Sequence, residues 1–246
     1  MPAPVGLRDG AEAPIANWRD WWNAPHSIYV NAHHLRVHYA HVADVIIGNL
    51  PARRPLTVLD YGCGEALDAS RVAAAAGSLI LYDSAERVRR ALAARCRGVP
   101  NIRIVDEGGL REIAAGSIDV VVVYSVIQYM TREEFAAALA RWRAWLRPGG
   151  MLLLVDVVPP GAGMLDDVAA LIATAWRHGF LRAALRGLAS TLFSSYSRLR
   201  RERGLTTYAE ADMRALLEAA GFTAQRRPIN LHGNRARMTF IGRRRE

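Results

Sequence analysis

The middle of the chain alternates short apolar runs with helical patterns. Five runs rich in Val, Ile and Leu predict buried strands, at residues 57–61, 79–83, 102–105, 118–124 and 151–158. Helical periodicity falls between them, at about 65–76, 85–97 and 132–146. Because buried strands that alternate with helices need cover on both faces, we expect a doubly wound α/β sheet. The run at 118–124 is continuous and β-branched, so it is expected to be central, beside the first strand.

The chain before this region divides into a loose arm and a helical part. Residues 1–17 lack periodicity, whereas 17–50 have a helical pattern that Pro51 and Pro55 end. We therefore expect two parts, an N-terminal arm with helices at 1–50 and a main domain at 51–246.

The chain after the fifth run departs from strict alternation. An insertion at about 159–204 has the spacing of amphipathic helices. Residues 211–220 predict a helix, and 222–228 with 236–242 predict a closing antiparallel pair of strands. The predicted architecture is a mostly parallel seven-stranded sheet with an antiparallel last strand.

A glycine turn follows the first predicted strand, in the sequence Asp60-Tyr61-Gly62-Cys63-Gly64. Glycine lets a backbone turn tightly and approach a ligand, because it has no Cβ. Asp83 ends the second apolar run 21 positions after Gly62, about the spacing at which such folds place a carboxylate for ribose hydroxyls. The alternative for Asp83 is a helix N-cap. The combination predicts a nucleotide-shaped pocket.

Two details distinguish among nucleotides. A dinucleotide site usually has a third glycine, where this chain has Ala66 or Leu67. Asp60 stands two residues before the first glycine, and a carboxylate there repels a pyrophosphate. A cofactor with ammonium and sulfonium charges is therefore favoured over a nicotinamide dinucleotide.

From about Leu56 to the C-terminus, the chain resembles the class I S-adenosylmethionine-dependent methyltransferases, whose first motif has the form Asp-x-Gly-x-Gly. Residues 147–150, Arg-Pro-Gly-Gly, match a Pro-Gly-Gly turn that is usual in the family before the fifth strand. The resemblance implies a Rossmann-like fold, methyltransferase activity and S-adenosyl-L-methionine as cofactor. It also implies that the N-terminal and inserted helices form a lid over the substrate.

The resemblance also implies where the cofactor binds. The glycine turn would hold the methionine part, Asp83 the ribose, and the end of the third strand the adenine. Many relatives have an acid at the place of Gly108, which leaves the adenine contact open to backbone amides. The expected cofactor-binding residues are Tyr29, Asp60, Gly62, Cys63, Gly64, Asp83, Ser84, Glu107, Gly108, Ser125, Val126 and Gln128.

The sequence indicates the catalytic residue less clearly than the cofactor site, because methyl transfer depends mainly on the positioning of the two reactants. An amine or thiolate needs little help, whereas a phenol or alcohol needs a base within hydrogen-bond reach. The candidates are His232, Tyr129 and His38, and each is equally well a structural residue. No metal site is expected, although the histidines at 34, 38 and 41 share one helix face, since no cysteine or carboxylate completes the set.

The chain has 32 arginines and no lysine, and its formal net charge is +9. Arginine suits anionic surfaces or substrates, but a compositional bias of the source genome explains the missing lysines more simply. A basic amphipathic helix, with Arg182 and Arg186 opposite its leucines, leaves peripheral membrane contact open, while packing on the domain is favoured. Two cysteines exclude a disulfide framework. Without a signal pattern or apolar span, we expect a cytoplasmic protein.

The favoured function is methyl transfer to a small molecule, aromatic or lipid-like, with the methylated atom and the oligomeric state left open. Nucleic-acid amino methyltransferases usually follow the fourth strand with Asn/Asp-Pro-Pro-Tyr/Phe to stack an extruded base. Here that place reads Tyr-Ser-Val-Ile-Gln at 124–128, so a nucleic-acid partner is disfavoured. The positive charge keeps an RNA-directed methyltransferase as an alternative. The other alternative is a non-catalytic partner subunit with a methyltransferase fold. The intact glycine and aspartate motif argues against it.

Overall fold

A computed structural model describes residues 17–24, 28–191 and 195–246. The predicted loose arm therefore lies outside the described residues, apart from Asn17. Within these ranges, no helix is long and apolar enough to cross a membrane.

Seven strands form a single sheet: β1 (Leu56–Tyr61), β2 (Gly77–Tyr82), β3 (Ile102–Val105), β4 (Ile118–Tyr124), β5 (Leu146–Val157), β6 (Phe222–Arg226) and β7 (Met238–Arg244). Their order is β3-β2-β1-β4-β5-β7-β6. The first five strands are parallel to one another, and β7 is antiparallel to β5 and β6. The predicted sheet is confirmed, including a central β4 that pairs with β1 and is buried along its whole length.

The helices are α1 (Trp18–Asn23), α2 (Ala32–Asn49), α3 (Ala69–Ala76), α4 (Glu86–Arg95), α5 (Glu107–Arg111), α6 (Arg132–Trp145), α7 (Met164–Arg177), α8 (Leu181–Thr191), α9 (Ser195–Arg203) and α10 (Glu210–Ala219). A short 3-10 turn covers Ile127–Tyr129. Helices α7 to α9 lie in the insertion between β5 and α10, where the sequence predicts amphipathic helices.

The N-terminal helical pattern corresponds to two helices, not one continuous helix. The side chain of Asn17 caps α1 by accepting from the Asp20 amide. Asn31 caps α2 in the same way, by accepting from the His34 amide at 2.8 Å. Asparagine is among the best N-cap residues because its side-chain oxygen satisfies a free amide of the first turn. The second cap therefore marks the start of α2 within the helical pattern.

Two further boundaries were predicted wrongly. The helix expected from residue 65 begins only at Ala69, because Gly64 (φ +55°) and Ala66 (φ +37°) have left-handed backbones that no α-helix accepts. The fifth strand begins at Leu146 instead of 151, and a register shift against β4 absorbs the Arg-Pro-Gly-Gly turn. The closing pair is also displaced, to the β6 and β7 bounds given above.

The sheet has a hydrophobic core on each face. On one face Leu59, Tyr61 and Val121 pack with Phe135 and Trp142 of α6, and the same cluster includes buried residues of α10. The other face packs against α2, α3 and α4, whose buried members include Val42, Ile46, Val72 and Leu92. Helix α2 thus shares a core with the sheet, which fixes its position relative to the turn after β1. The division into 1–50 and 51–246 stays a prediction.

Candidate active site

The turn after β1 is fixed on the end of β2. The amides of Gly62 and Cys63 both donate to the carbonyl of Tyr82, at 2.7 and 3.0 Å. Gly62 has φ +80°, and a Cβ there would lie 2.5 Å from a methyl carbon of Val126. Glycine is therefore required both for the backbone conformation and for the space beside Val126.

Asp83 holds the other half of this turn. One carboxylate oxygen accepts from the Gly64 amide and the other from the Ala85 amide, each at 2.9 Å. Burial raises the pKa of Asp83, and the two amide bonds oppose that increase. Helix α4 has Ala85 as its N-cap residue, so the N-cap alternative for Asp83 is not what the structure has. Each carboxylate oxygen keeps further acceptor capacity for a ligand hydroxyl.

Asp60 lies at the end of β1 and is 4 % exposed. Its Oδ1 has no hydrogen-bond partner, and it faces a cavity of about 10 Å³ between the sheet, α2 and α3. Burial, and then the charge of Asp83, raise the pKa of Asp60 to about 7. A buried carboxylate without a partner is costly unless a cation or donor reaches it. The motif thus offers one unsatisfied anionic group.

Helix α2 lies across the glycine turn. The Tyr39 hydroxyl accepts from the Glu65 amide at 2.7 Å and is hydrogen-bonded to the Tyr29 side chain. A Cβ on Gly64 would lie only 2.4 Å from that hydroxyl. The Tyr39 side chain therefore packs directly against the glycine turn.

A cluster of aromatic and imidazole rings extends from Tyr39 toward the end of β4. His38 lies 5.2 Å from Tyr29 and 5.7 Å from His232, measured between ring centroids. The Tyr124 hydroxyl and His232 Nδ1 are hydrogen-bonded at 2.9 Å. Three separate segments, α2, β4 and the loop before β7, therefore bring these groups together.

The imidazoles of this cluster are uncharged near neutral pH. Burial, followed by neighbouring imidazoles, lowers the pKa of His38 to about 3 and that of His34 to about 4. Burial also lowers the pKa of His232, against the charge of Asp156. A neutral imidazole has a lone pair that can accept a proton from a bound molecule.

A buried ionic network lies next to this cluster. Arg237 donates to Asp156 at 2.6 Å and to Asp167 of α7 at 2.7 Å. The Ser125 hydroxyl also donates to Asp156, at 2.7 Å, and both residues have left-handed backbones, with φ of +56° and +72°. Arg200 of α9 pairs with Asp167 at 2.6 Å. The network ties the insertion to the ends of β4 and β5.

The predicted cofactor residues fall into separate groups. Asp60, Gly62, Gly64 and Asp83 converge on the turn, with Val126 against it. Cys63 is buried there, and burial raises its thiol pKa well above the usual range, so the thiol stays protonated.

The remaining predicted cofactor residues lie on either side of the turn. Ser84 and Gly108 are exposed at the ends of β2 and β3. Glu107 accepts from the Tyr82 hydroxyl and lies 3.5 Å from Arg141. Gln128 is buried and donates to the Ser125 carbonyl at 2.9 Å. Their assignment to cofactor binding stays a prediction.

The three catalytic candidates are not all together. His38 and His232 face one another, whereas the Tyr129 ring packs at 4.8 Å from Trp18 and 5.5 Å from Trp22 of α1. In the described part of the chain, no three His, Cys, Asp or Glu side chains form a group that could hold a metal ion.

The sequence interpretation missed Tyr124, Asp156 and Arg237. Asp156 offered a signal, because it is a charge inside an otherwise apolar strand and so needs a buried partner. Nothing local in the sequence identifies Arg237 as that partner, since 81 positions separate them.

Comparison with known proteins agrees with this geometry. Residues 58–150 match the family described as "Methyltransferase domain". No curated protein matches the chain. Magnesium protoporphyrin IX methyltransferase (ChlM) from Synechocystis PCC 6803 with bound SAH superimposes with a TM-score of 0.57 at 18% identity, covering 92% of this chain and 97% of that one. A chain from the complex of the Haloferax volcanii Trm112 methyltransferase activator with a methyltransferase gives 0.61 at 14%, covering 95% and 100%.

Residues 58–150 thus match a methyltransferase domain, and the sheet order is that of a Rossmann-like methyltransferase fold. The ChlM structures contain bound SAH and SAM. The structural relatives are below 25% identity, so they bear on the fold and not on the acceptor.

Proposed function

We propose that the chain transfers a methyl group from S-adenosyl-L-methionine to a small molecule with an apolar or aromatic body. The observation that carries this proposal is the ring cluster of Tyr29, His38, Tyr124 and His232, which adjoins the cofactor motif through Tyr39. Tyr124 is buried, and the other three are half-buried. Aromatic and imidazole side chains suit an acceptor with an apolar body better than a polymer.

The motif residues fit the cofactor. The unpaired Asp60 carboxylate would attract its ammonium group, and Asp83 would accept from its ribose hydroxyls. When bound, the cofactor supplies a methyl group activated by a sulfonium. The remaining work of the protein is to orient the acceptor and exclude water.

His232 is the base in this proposal. Its neutral imidazole would take up the proton that an acceptor hydroxyl loses as it is methylated. The bond between Tyr124 and His232 Nδ1 orients the ring for this transfer. His38, on the opposite side, is the second candidate for the same role.

The test is an assay of S-adenosylhomocysteine release with a panel of small phenols, alcohols, amines and amphiphiles, alongside RNA transcripts. We expect turnover with an apolar small molecule. We also expect His232→Asn to lower kcat by about 10² to 10⁴, with S-adenosylhomocysteine affinity unchanged. Tyr124→Phe, which keeps the ring, should have a smaller effect.

Turnover confined to RNA would contradict the small-molecule acceptor. Calorimetric titration with S-adenosylhomocysteine serves as the control for the non-catalytic alternative. No measurable binding at millimolar ligand would support a partner subunit and overturn the proposal.

A further inference from the structure

Helices α7 and α8 cover the ring cluster from outside. Phe180, in the connection between them, stacks on His34 with ring centroids 5.0 Å apart. A small apolar cluster joins Ala175, Phe180 and Ala184 to Val30 and Val37. One side of this helical pair therefore covers the proposed acceptor site.

The outer side of α7 is apolar where a surface helix is usually polar. Leu165 is 84% exposed and Trp176 is 77% exposed, and Ala169 and Ala173 between them are also exposed. Their spacing of i, i+4, i+8 and i+11 places all four on a single face, about 16 Å long. We call these four residues the α7 stripe. A continuous exposed apolar face of this kind marks an interaction site.

Exposed basic residues lie on α7, together with the α7 stripe, and on α8. Arg177 ends α7, and Arg182 and Arg186 are exposed on α8 on either side of Leu185, which is 55% exposed. These three arginines make no ion pair with the described residues.

The acidic residues near the α7 stripe are already engaged. Asp166 accepts from the Gly163 amide at 2.8 Å, and Asp167 is held by Arg200 and Arg237. The surface around the stripe is thus apolar at its centre and positive at its edge.

We propose that the α7 stripe docks on an anionic membrane surface. Tryptophan and leucine insert at the boundary between headgroups and acyl chains, and arginine pairs with lipid phosphates. Because the ring cluster lies directly beneath the same two helices, the acceptor is a membrane-resident amphiphile that reaches the site from the bilayer. This second statement rests on the proposed function, whereas the docking itself does not.

The test is co-sedimentation of the full chain with vesicles of phosphatidylcholine alone and with about 30% phosphatidylglycerol, at low ionic strength and without cofactor. We expect binding to the anionic vesicles only. Leu165→Gln/Trp176→Gln should abolish it. Arg182→Gln/Arg186→Gln should lower the partition coefficient by about 25-fold, on the basis of about fivefold per arginine.

Arg97→Gln/Arg103→Gln is the matched control. These arginines are exposed at the far end of α4 and on β3, and their removal lowers the net charge by the same two units. We expect its partition coefficient to stay within about twofold of the parent chain. Far-UV circular dichroism and S-adenosylhomocysteine titration establish that each variant is folded.

Equal loss in the control pair would overturn the proposal, because it would show net charge alone to be responsible. A lipid-free dimer that Leu165→Gln/Trp176→Gln dissociates would overturn it too, in favour of a second copy of the chain. Since binding is measured without cofactor, failure here is distinguishable from failure of methyl transfer.

Discussion

Asp60 and Asp83, at the ends of the adjacent strands β1 and β2, differ in their hydrogen bonding. Asp83 is satisfied by two backbone amides and shapes the turn. Asp60 is more deeply buried and has an oxygen without a partner. Asp83 accepts hydrogen bonds from the backbone and can also accept from ligand hydroxyls, whereas Asp60 can pair with a positively charged group. This difference makes Asp60 the residue through which cofactor binding depends on pH.

We expect S-adenosylhomocysteine affinity to rise as pH increases from 5.5 to 7.5. Because the folded pKa of Asp60 is about 7, above its ordinary 3.8, the free protein holds a proton there at pH 5.5. A bound ammonium group favours the ionised carboxylate, so binding releases that proton, with a limit of about tenfold in affinity per pH unit. Calorimetry in two buffers of different ionisation enthalpy measures both the affinity and the proton release.

Asp60→Asn is the control for this linkage. The variant keeps the size of the side chain and cannot ionise, so it should bind more weakly at pH 7.5 and show no proton release. The same pH slope in the asparagine variant would assign the linkage to another group.

At the scale of elements, Arg237 links the insertion to the sheet. Arg237 precedes β7, and its two carboxylate partners come from β5 and α7. The arginine and Asp156 are almost fully buried, at 9% and 2% exposure of the side chains. Buried ion pairs contribute little net stability when intact, yet removal of one partner leaves an isolated buried charge.

We expect Arg237→Met to lower the free energy of unfolding by about 3 to 5 kcal/mol, measured by urea denaturation. The double variant Arg237→Met/Asp156→Asn removes both charges and should recover part of that loss. A loss below about 1 kcal/mol in the single variant would show that the ion pair does not hold α7 in place. Arg226→Met, at an exposed pair with Glu210, is the surface control, and its loss should be much smaller because solvent screens the pair.

Local pattern explains why the strands and the motif could be predicted. Buried parallel strands are continuous apolar runs, and the acid after β2 follows the glycines at a fixed distance, so neither needs knowledge of distant contacts. The start of α3 could not be read, because the left-handed backbone of Ala66 is imposed by the turn and not by its side chain. The pair of Tyr124 and His232 is separated by 108 positions, and no local pattern indicates such a contact.

At the scale of the whole molecule, the arginines and the histidines of the ring cluster differ in charge. The arginines give the chain a net positive charge, while the histidines of the ring cluster are half-buried and uncharged near neutral pH. The folded state disfavours the protonated form of each of these histidines. A decrease in pH therefore destabilises the folded state through them.

We expect stability to fall as pH decreases from 7 to 5. The folded pKa values of His34 and His38 are about 4 and 3, below the ordinary 6.5, so the unfolded chain binds more protons and stability is lost as pH falls below 6.5. Asp60 has the opposite sign, because its raised pKa keeps a proton in the folded state. Two imidazoles against one carboxyl leave about one net proton taken up on unfolding, equivalent to about 1.4 kcal/mol per pH unit near pH 5.

Urea denaturation at several pH values measures the slope, which His38→Gln should flatten and Asp60→Asn should steepen. If the chain became more stable on acidification even with Asp60→Asn, the imidazoles would instead be charged in the folded state, and His232 could then not be the neutral base that methyl transfer to a hydroxyl requires.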